Sequence, residues 1–303
     1  MIKHRILWFA LAVIAVSSRV YAEDIPVYTL EPIIVQGKPG GKETVGPYNQ
    51  PVWAAQGRFS PNTDVYVLPP YEFVIDLDYQ GTKPKRGKTS NLLTQEFELG
   101  LPNRFQIAFE NNYDMTSPHK QVTVQTIEGR YALADWGTIP LNPTLFAEYK
   151  FGVGKDYEGQ EDSDDPLKRI SNAVELRLLL GEQFGKYQWA LNIFQERQNG
   201  GEREWETGFS QAISYPIRDN LRAGIEMQFI HRSDAETRSN PQHEFTLGPS
   251  LTWKPSQRTS LDLAMLFGTS HDSPRAKMFA VFSYSFGKGE ENEYSAPVST
   301  KNR

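Results

Sequence analysis

Gln95-Glu96-Phe97-Glu98-Leu99-Gly100-Leu101-Pro102-Asn103-Arg104-Phe105-Gln106-Ile107-Ala108-Phe109-Glu110-Asn111-Asn112-Tyr113 is the stretch on which the fold turns. In its first arm Phe97, Leu99 and Leu101 alternate with Glu96, Glu98 and Gly100. Pro102, Asn103 and Arg104 form a turn. In the second arm Phe105, Ile107, Phe109 and Tyr113 alternate with Gln106, Ala108, Glu110 and Asn112. Period two on both sides of a short turn predicts a β-hairpin. The second face carries charge rather than mere polarity, which suits a wall with hydrocarbon on one side and water on the other.

Composition bounds the context. The chain has 303 residues and no cysteine, enough for one large β-domain without disulfide staples. It opens with Lys3, His4 and Arg5, an apolar run from Ile6 to Val16, and the close Val20-Tyr21-Ala22. Basic, apolar, then small residues predict a secretory signal over 1–22 with cleavage after Ala22. The apolar run, about 11 residues, is too short for a spanning helix. Losing Lys3, Arg5 and Arg19 with the leader takes the formal charge from −5 to −8. Such acidity argues against nucleic acid as a partner. Mean hydropathy is −0.53 while aromatics reach 12%. A membrane barrel has that combination because every other residue faces the lumen.

Residues 23–70 are poorly periodic and rich in Gly and Pro, ending Pro69-Pro70. They predict an extended periplasmic arm, or a segment folded into the barrel mouth; as an arm they would offer themselves to a periplasmic partner. Within them Leu30-Glu31-Pro32-Ile33-Ile34-Val35-Gln36-Gly37 resembles the energy-coupling box of TonB-dependent receptors. Those receptors need a barrel of about 22 strands, for which this chain is too short, so the stretch reads as a β-prone linker.

From Tyr71 the chain divides into about twelve alternating segments, together the all-β reading of a closed antiparallel up-and-down transmembrane β-barrel over 71–287. They are Tyr71–Gln80, the two arms above, Val122–Leu133, Thr144–Gly152, Ala173–Gly181, Tyr187–Arg197, Trp205–Tyr215, Leu221–Arg232, Glu244–Trp253, Thr259–Gly268 and Lys277–Gly287. Parity slips near Thr126, which predicts a bulge there. Pro249 falls on an apolar face and predicts a bulge or break. Tyr71, Tyr79, Tyr113, Trp189, Trp205, Tyr215, Trp253, Phe267 and Phe286 sit near segment ends, where interface girdles belong. Residues 288–303 read as a periplasmic tail.

The connections alternate in length. With a periplasmic N-terminus, the inside turns are Pro102–Arg104, Ala134–Pro143, Glu182–Lys186, Pro216–Asn220 and Lys254–Arg258. The outside loops are Gly81–Thr94, Asp114–Gln121, Val153–Asn172, Gln198–Glu204, Ser233–His243 and Thr269–Ala276. Outside loops are longer with one exception, Ala134–Pro143, as in outer-membrane barrels.

Extending the parity inward places Glu72, Asp76, Asp78, Glu206, Glu244 and Arg232 in the lumen. It places there as well the candidate selectivity residues Glu96, Glu98, Glu110, Glu128, Arg130, Glu148, Lys150, Glu175, Arg177, Glu196, Arg222, Glu226 and Asp262. Carboxylates dominate this face. Charges that would cost several kcal/mol in a dry core stay hydrated in a wet lumen. An acidic pore favours cations over anions; alternatively these groups pair with the Arg and Lys to stiffen the wall. Eight strands leave a filled interior and 16–18 an open channel, so about twelve predict a narrow pore.

Two resemblances add to this reading. The last segment, with Phe282, Tyr284 and Phe286, resembles the terminal strand of bacterial outer-membrane β-barrels, which implies the barrel-assembly machinery as a partner. The hairpin Glu98-Leu99-Gly100-Leu101-Pro102-Asn103-Arg104-Phe105-Gln106-Ile107 resembles the outer-membrane channel family associated with phenol meta-pathway degradation. That resemblance implies a barrel channel in the bacterial outer membrane, surrounded by lipid.

The remaining motifs point nowhere specific. Asp156, Glu158, Glu161, Asp162, Asp164 and Asp165 offer oxygen ligands for Ca²⁺ but lack the EF-hand pattern and read as a solvated acidic loop. Ser270, His271 and Asp272 are consecutive, whereas a catalytic triad needs groups that converge in space. No G-x-S-x-G elbow is present. The expectation is therefore a non-enzymatic outer-membrane channel without cofactor or metal, passing small cationic or neutral solutes. The alternative is a non-conducting barrel acting as scaffold, adhesin or assembly partner.

Overall fold

The computed structural model describes residues 44–51, 53–54, 59, 65–116, 120–155, 169–201 and 203–286. The expected leader 1–22, Leu30–Gly37, His119, the stretch Asp156–Asp165 and the expected tail 288–303 lie outside the described residues. The described elements are all strands: β1 (Thr44–Val45), β2 (Gln50–Pro51), β3 (Phe73–Lys83), β4 (Ser90–Leu101), β5 (Phe105–Asp114), β6 (Gln121–Ala132), β7 (Thr144–Gly152), β8 (Ala173–Phe184), β9 (Tyr187–Gln198), β10 (Trp205–Arg218), β11 (Leu221–Ser233), β12 (Gln242–Trp253), β13 (Thr259–Gly268) and β14 (Ala276–Ser285). β1 and β2 pair with each other, and β3 to β14 form a closed antiparallel barrel with each strand beside its sequence neighbours.

Closure comes from β14 on β3, with Phe282 opposite Leu77 and Tyr284 opposite Ile75. Every strand thereby gains partners on both sides, which removes the edges that would expose unpaired backbone groups to lipid. The period-two pattern sets the two faces. Along β6, Ile127 is 56% exposed on the outer face while its neighbour Glu128 is 3% exposed on the inner face. Leu77, Phe105, Ile107, Leu145, Leu176, Ile193, Ile213, Ile225, Leu263 and Phe282 likewise point outward. Aromatic pairs reinforce the ends of this apolar band: Phe105 with Tyr131 at 4.5 Å, Phe73 with Phe286 at 5.6 Å and Tyr187 with Tyr215 at 5.3 Å between ring centres.

Several boundaries differ from the sequence reading. Tyr71 is not in the first strand: its φ is +65°, its amide donates to the Gly100 carbonyl, and β3 begins at Phe73. The expected loop Gly81–Thr94 is largely strand, since β3 runs to Lys83 and β4 starts at Ser90. Likewise β8 extends to Phe184 and β10 to Arg218. Backbone pairing continues past the apolar band, so hydrophobic alternation underestimates strand length. The bulge predicted near Thr126 lies three positions earlier. Asn112 pairs with Val124 and Tyr113 with Val122, which leaves Thr123 as the extra residue, while Thr126 pairs regularly with Glu110. At Pro249 the register is unshifted; β12–β13 pairing skips from Leu247↔Phe267 to Ser250↔Ala264, the cost of the missing N–H.

The apolar core sits inside one end of the barrel. Tyr48, Trp53, Ala54, Phe59, Val65, Tyr66 and Val67 cluster against Ala132, Ala190 and Ala212 with Trp136 alongside. That is the short-turn end, which faces the periplasm in outer-membrane barrels. The inner wall there is built from small residues. A Cβ on Gly181 would lie 2.0 Å from Val65 Cγ1, and one on Gly100 would lie 1.9 Å from the Pro69 carbonyl oxygen. The connection 133–143, the exception to the short-turn rule, holds this plug. Trp136 packs edge-on against Trp53 and Tyr66 at 5.6 and 5.3 Å. The Tyr66 hydroxyl donates to the Ala134 carbonyl at 2.5 Å and the Trp136 amide to the Tyr48 carbonyl at 2.8 Å. Trp53 Nε1 donates to Gln183 and the Leu68 amide to Gln106 Oε1. Burial, with help from Asp135, holds the Tyr66 phenol well above its usual range, so it remains a donor.

Candidate functional site: the charged lumen

Residues paired across neighbouring strands lie on a line perpendicular to those strands. Strands in a closed barrel tilt, so that line climbs around the wall. One such inward line runs Glu98, Ala108, Glu128, Glu148, Glu175, Glu196, Glu206 and Arg232, from β4 near the turn 102–104 to the long-loop rim at β11. The next inward line toward the turns reads Gln106, Arg130, Phe146, Arg177 and Phe194. A track of carboxylates thus climbs beside a track in which guanidinium and phenyl alternate. Arg177 lies over Phe146 at 4.8 Å and over Phe194 at 5.9 Å, and Arg130 over Phe146 at 5.4 Å. These contacts anchor the guanidinium planes.

The thirteen residues singled out from the sequence all sit on inward faces, and three groupings arise where rows meet. Arg130 reaches Glu96 at 3.5 Å and Glu98 at 3.2 Å and pairs with Glu128. Lys150 donates to Glu148 at 2.8 Å, Glu175 at 2.8 Å and Glu196 at 2.6 Å. Arg177 pairs with Glu175. Arg232 reaches Glu204 at 2.6 Å and Glu244 at 3.4 Å and pairs with Glu206. Each of three cations is therefore held by three carboxylates, one grouping near the plug, one midway and one at the outer rim. Glu110 lines the same space as Glu96 and Glu128. The opposite wall is quieter. Arg222 donates to Gln188 at 2.6 Å, Asp262 accepts from Thr252 at 2.5 Å, and Glu226 is buried beside Ala212 and Gly248.

Carboxylate oxygens of Glu148, Glu175 and Glu196 approach within 4.8 Å of one another, close enough for a shared cation, and the Lys150 ammonium fills that role. Between the rows lies a polar cavity of about 200 Å³ lined by Asp78, Glu96, Glu110, Glu128, Glu148, Lys150 and Arg177 among others. A smaller space of about 40 Å³ lies between the plug residues Val65, Tyr66 and Leu68 and the polar side chains of Asp76, Glu98, Ser260, Ser283 and Ser285. Water in such spaces keeps clustered charge affordable.

Some lumen residues escaped the sequence reading. Lys277 donates to Glu244 at 3.1 Å and to Gln228 at 3.2 Å; its parity, one place before outward Met278, was the available signal. Glu204 belongs to the loop before β10 and has no strand parity to reveal it. Burial pushes its carboxyl up to about 7 against the pull of Arg232. Ser270, His271 and Asp272 do not converge. Ser270 Oγ donates to the His243 carbonyl at 2.5 Å, while the fully exposed His271 ring pairs with Asp272.

Comparison of the backbone with solved structures returns bacterial outer-membrane barrels. An outer membrane channel from Pseudomonas putida F1 aligns over 74% of this chain and 98% of its own length, with TM-score 0.54 and 13% identity. The fold is that of a bacterial outer-membrane β-barrel. KdgM porin (10% identity, TM-score 0.46, 71% of this chain and 99% of that one) and NanC porin (9%, 0.44, 70% and 98%) also match. Neither protein-family models nor curated proteins return a match. The lipid-compatible exterior and this fold place the chain in the bacterial outer membrane.

Proposed function

We propose that this barrel is an outer-membrane channel for passive passage of small solutes, with cationic or neutral ones preferred. The observation that supports the reading is the carboxylate track facing a polar cavity inside a closed wall. The Arg and Lys groups neutralise part of the track, and the excess stays negative, which favours cations. No step in this reading is chemical: the channel is a conduit, not an enzyme, and Ser270 is engaged elsewhere.

The apolar plug favours a second reading. Tyr48, Trp53, Val65 and Tyr66 fill one side of the turn end, so a resting barrel that conducts little, acting as scaffold or assembly partner, is the competing function. Planar-bilayer recording of the full chain in a KCl gradient separates the two. The channel reading expects discrete current steps with a cation-selective reversal potential. Absence of current, or anion selectivity, counts against it. Current only after residues 23–68 are deleted supports a barrel closed by its own N-terminal segment.

A further inference from the structure

We infer that Lys150 sets the charge selectivity of the lumen, acting as a tethered counter-ion that competes with permeating cations for the middle carboxylate grouping. The inference rests on the channel reading above. Four cations share this track's carboxylates, and they differ in reach. The Arg130 side chain is 4% exposed, at the plug end of the polar cavity, where it also lines the smaller space against Val65, Tyr66 and Leu68. Arg177 is stacked between Phe146 and Phe194. Arg232 is 37% exposed but stands at the rim. Lys150 is 24% exposed, midway along the track, and lines the polar cavity.

Its chemistry also differs. A guanidinium is pinned by its planar fork and its ring contacts, whereas an ammonium is a compact point charge on a flexible stem. With three bonds of 2.6 to 2.8 Å, Lys150 Nζ uses all three of its donors on Glu148, Glu175 and Glu196. With Arg177 on Glu175, the formal count of this grouping is three negative and two positive charges. The remaining charge is therefore small, and Lys150 supplies half of the compensation. An arriving cation meets a place already taken by one of its own kind. An arriving anion meets carboxylates that are largely neutralised.

The test is the reversal potential of the full chain in a KCl gradient for wild type, Lys150→Met, Lys150→Arg and Glu196→Gln. Heat-dependent mobility on gels confirms that each barrel is closed. Lys150→Met is expected to raise the cation-to-anion permeability ratio about sevenfold, because one unit charge about 7 Å from the path in water changes the passage of a cation and of an anion by about 2.7-fold each, in opposite directions. Lys150→Arg is expected to keep the wild-type ratio, and Glu196→Gln to lower it. A current-carrying wild type whose ratio does not move in Lys150→Met or Glu196→Gln overturns the inference and leaves the channel reading standing. A folded wild type with no current overturns both.

Discussion

The two halves of the barrel interior solve the same problem in opposite ways. At the turn end the inner positions shrink to Gly100, Ala132, Gly181, Ala190 and Ala212, and an apolar segment from elsewhere in the chain fills the space. Midway, the inner positions enlarge to Glu, Arg, Lys and Phe, and the wall fills itself while keeping a polar cavity. A barrel of this circumference has room to spare if lined by side chains alone. What lines a given height decides whether that height is packed solid or keeps a cavity. Inward residue size, and not inward polarity alone, divides the lumen into a packed end and a cavity-bearing middle.

The largest expected effect comes from removing one half altogether. Deleting residues 23–68 takes out the plug and leaves the twelve-strand ladder untouched, so conductance is expected to rise severalfold with little change in unfolding midpoint. An unchanged conductance would mean that the charged half is the seal. Next is Arg130→Met, which leaves Glu96, Glu98 and Glu128 facing one another at the boundary between the halves. Removing one partner of a buried ionic grouping costs about 3–5 kcal/mol, measurable by urea unfolding in detergent. A loss below 1 kcal/mol would show that water already screens that grouping. Gly181→Val is smaller and acts on the other half. The new side chain overlaps Val65, and overpacking of that kind costs about 1–3 kcal/mol. The plug is expected to loosen and conductance to increase partway toward the deletion.

The smallest effect is a pH dependence at the outer rim. Glu204, raised to about 7, gains its negative charge as pH passes upward through that value. Cation preference is therefore expected to grow modestly from about pH 6 to 8, and Glu204→Gln to flatten the dependence. The sign for stability is opposite. A carboxyl raised by folding contributes fully below its unfolded value and loses that contribution as pH rises through about 7.

Alternation made the barrel legible because the pleat dictates it: Phe97, Leu99 and Ile107 face lipid whatever lies within. The inward residues were legible for the same reason. Their partners were not, because which Glu meets Lys150 depends on the β7–β8 and β8–β9 registers, which alternation alone does not fix. Residues 48–68 lack any period, so the sequence left them open between a periplasmic arm and a segment folded into the barrel mouth. The plug's imprint was visible nonetheless, in the small inward residues Gly181, Ala190 and Ala212 and in the length of the connection 133–143. Small residues say that something approaches closely, not what it is.

The central claim is that one face of each strand meets water and the other meets lipid. The native chain contains no cysteine, so single substitutions report without background. Glu196→Cys and Ile193→Cys sit on opposite faces of β9. Reconstituted in liposomes, the cysteine at 196 is predicted to react with a charged, water-soluble thiol reagent, while a fluorophore at 193 is quenched by brominated lipid. The reverse result, reagent at 193 and lipid quenching at 196, would contradict the account.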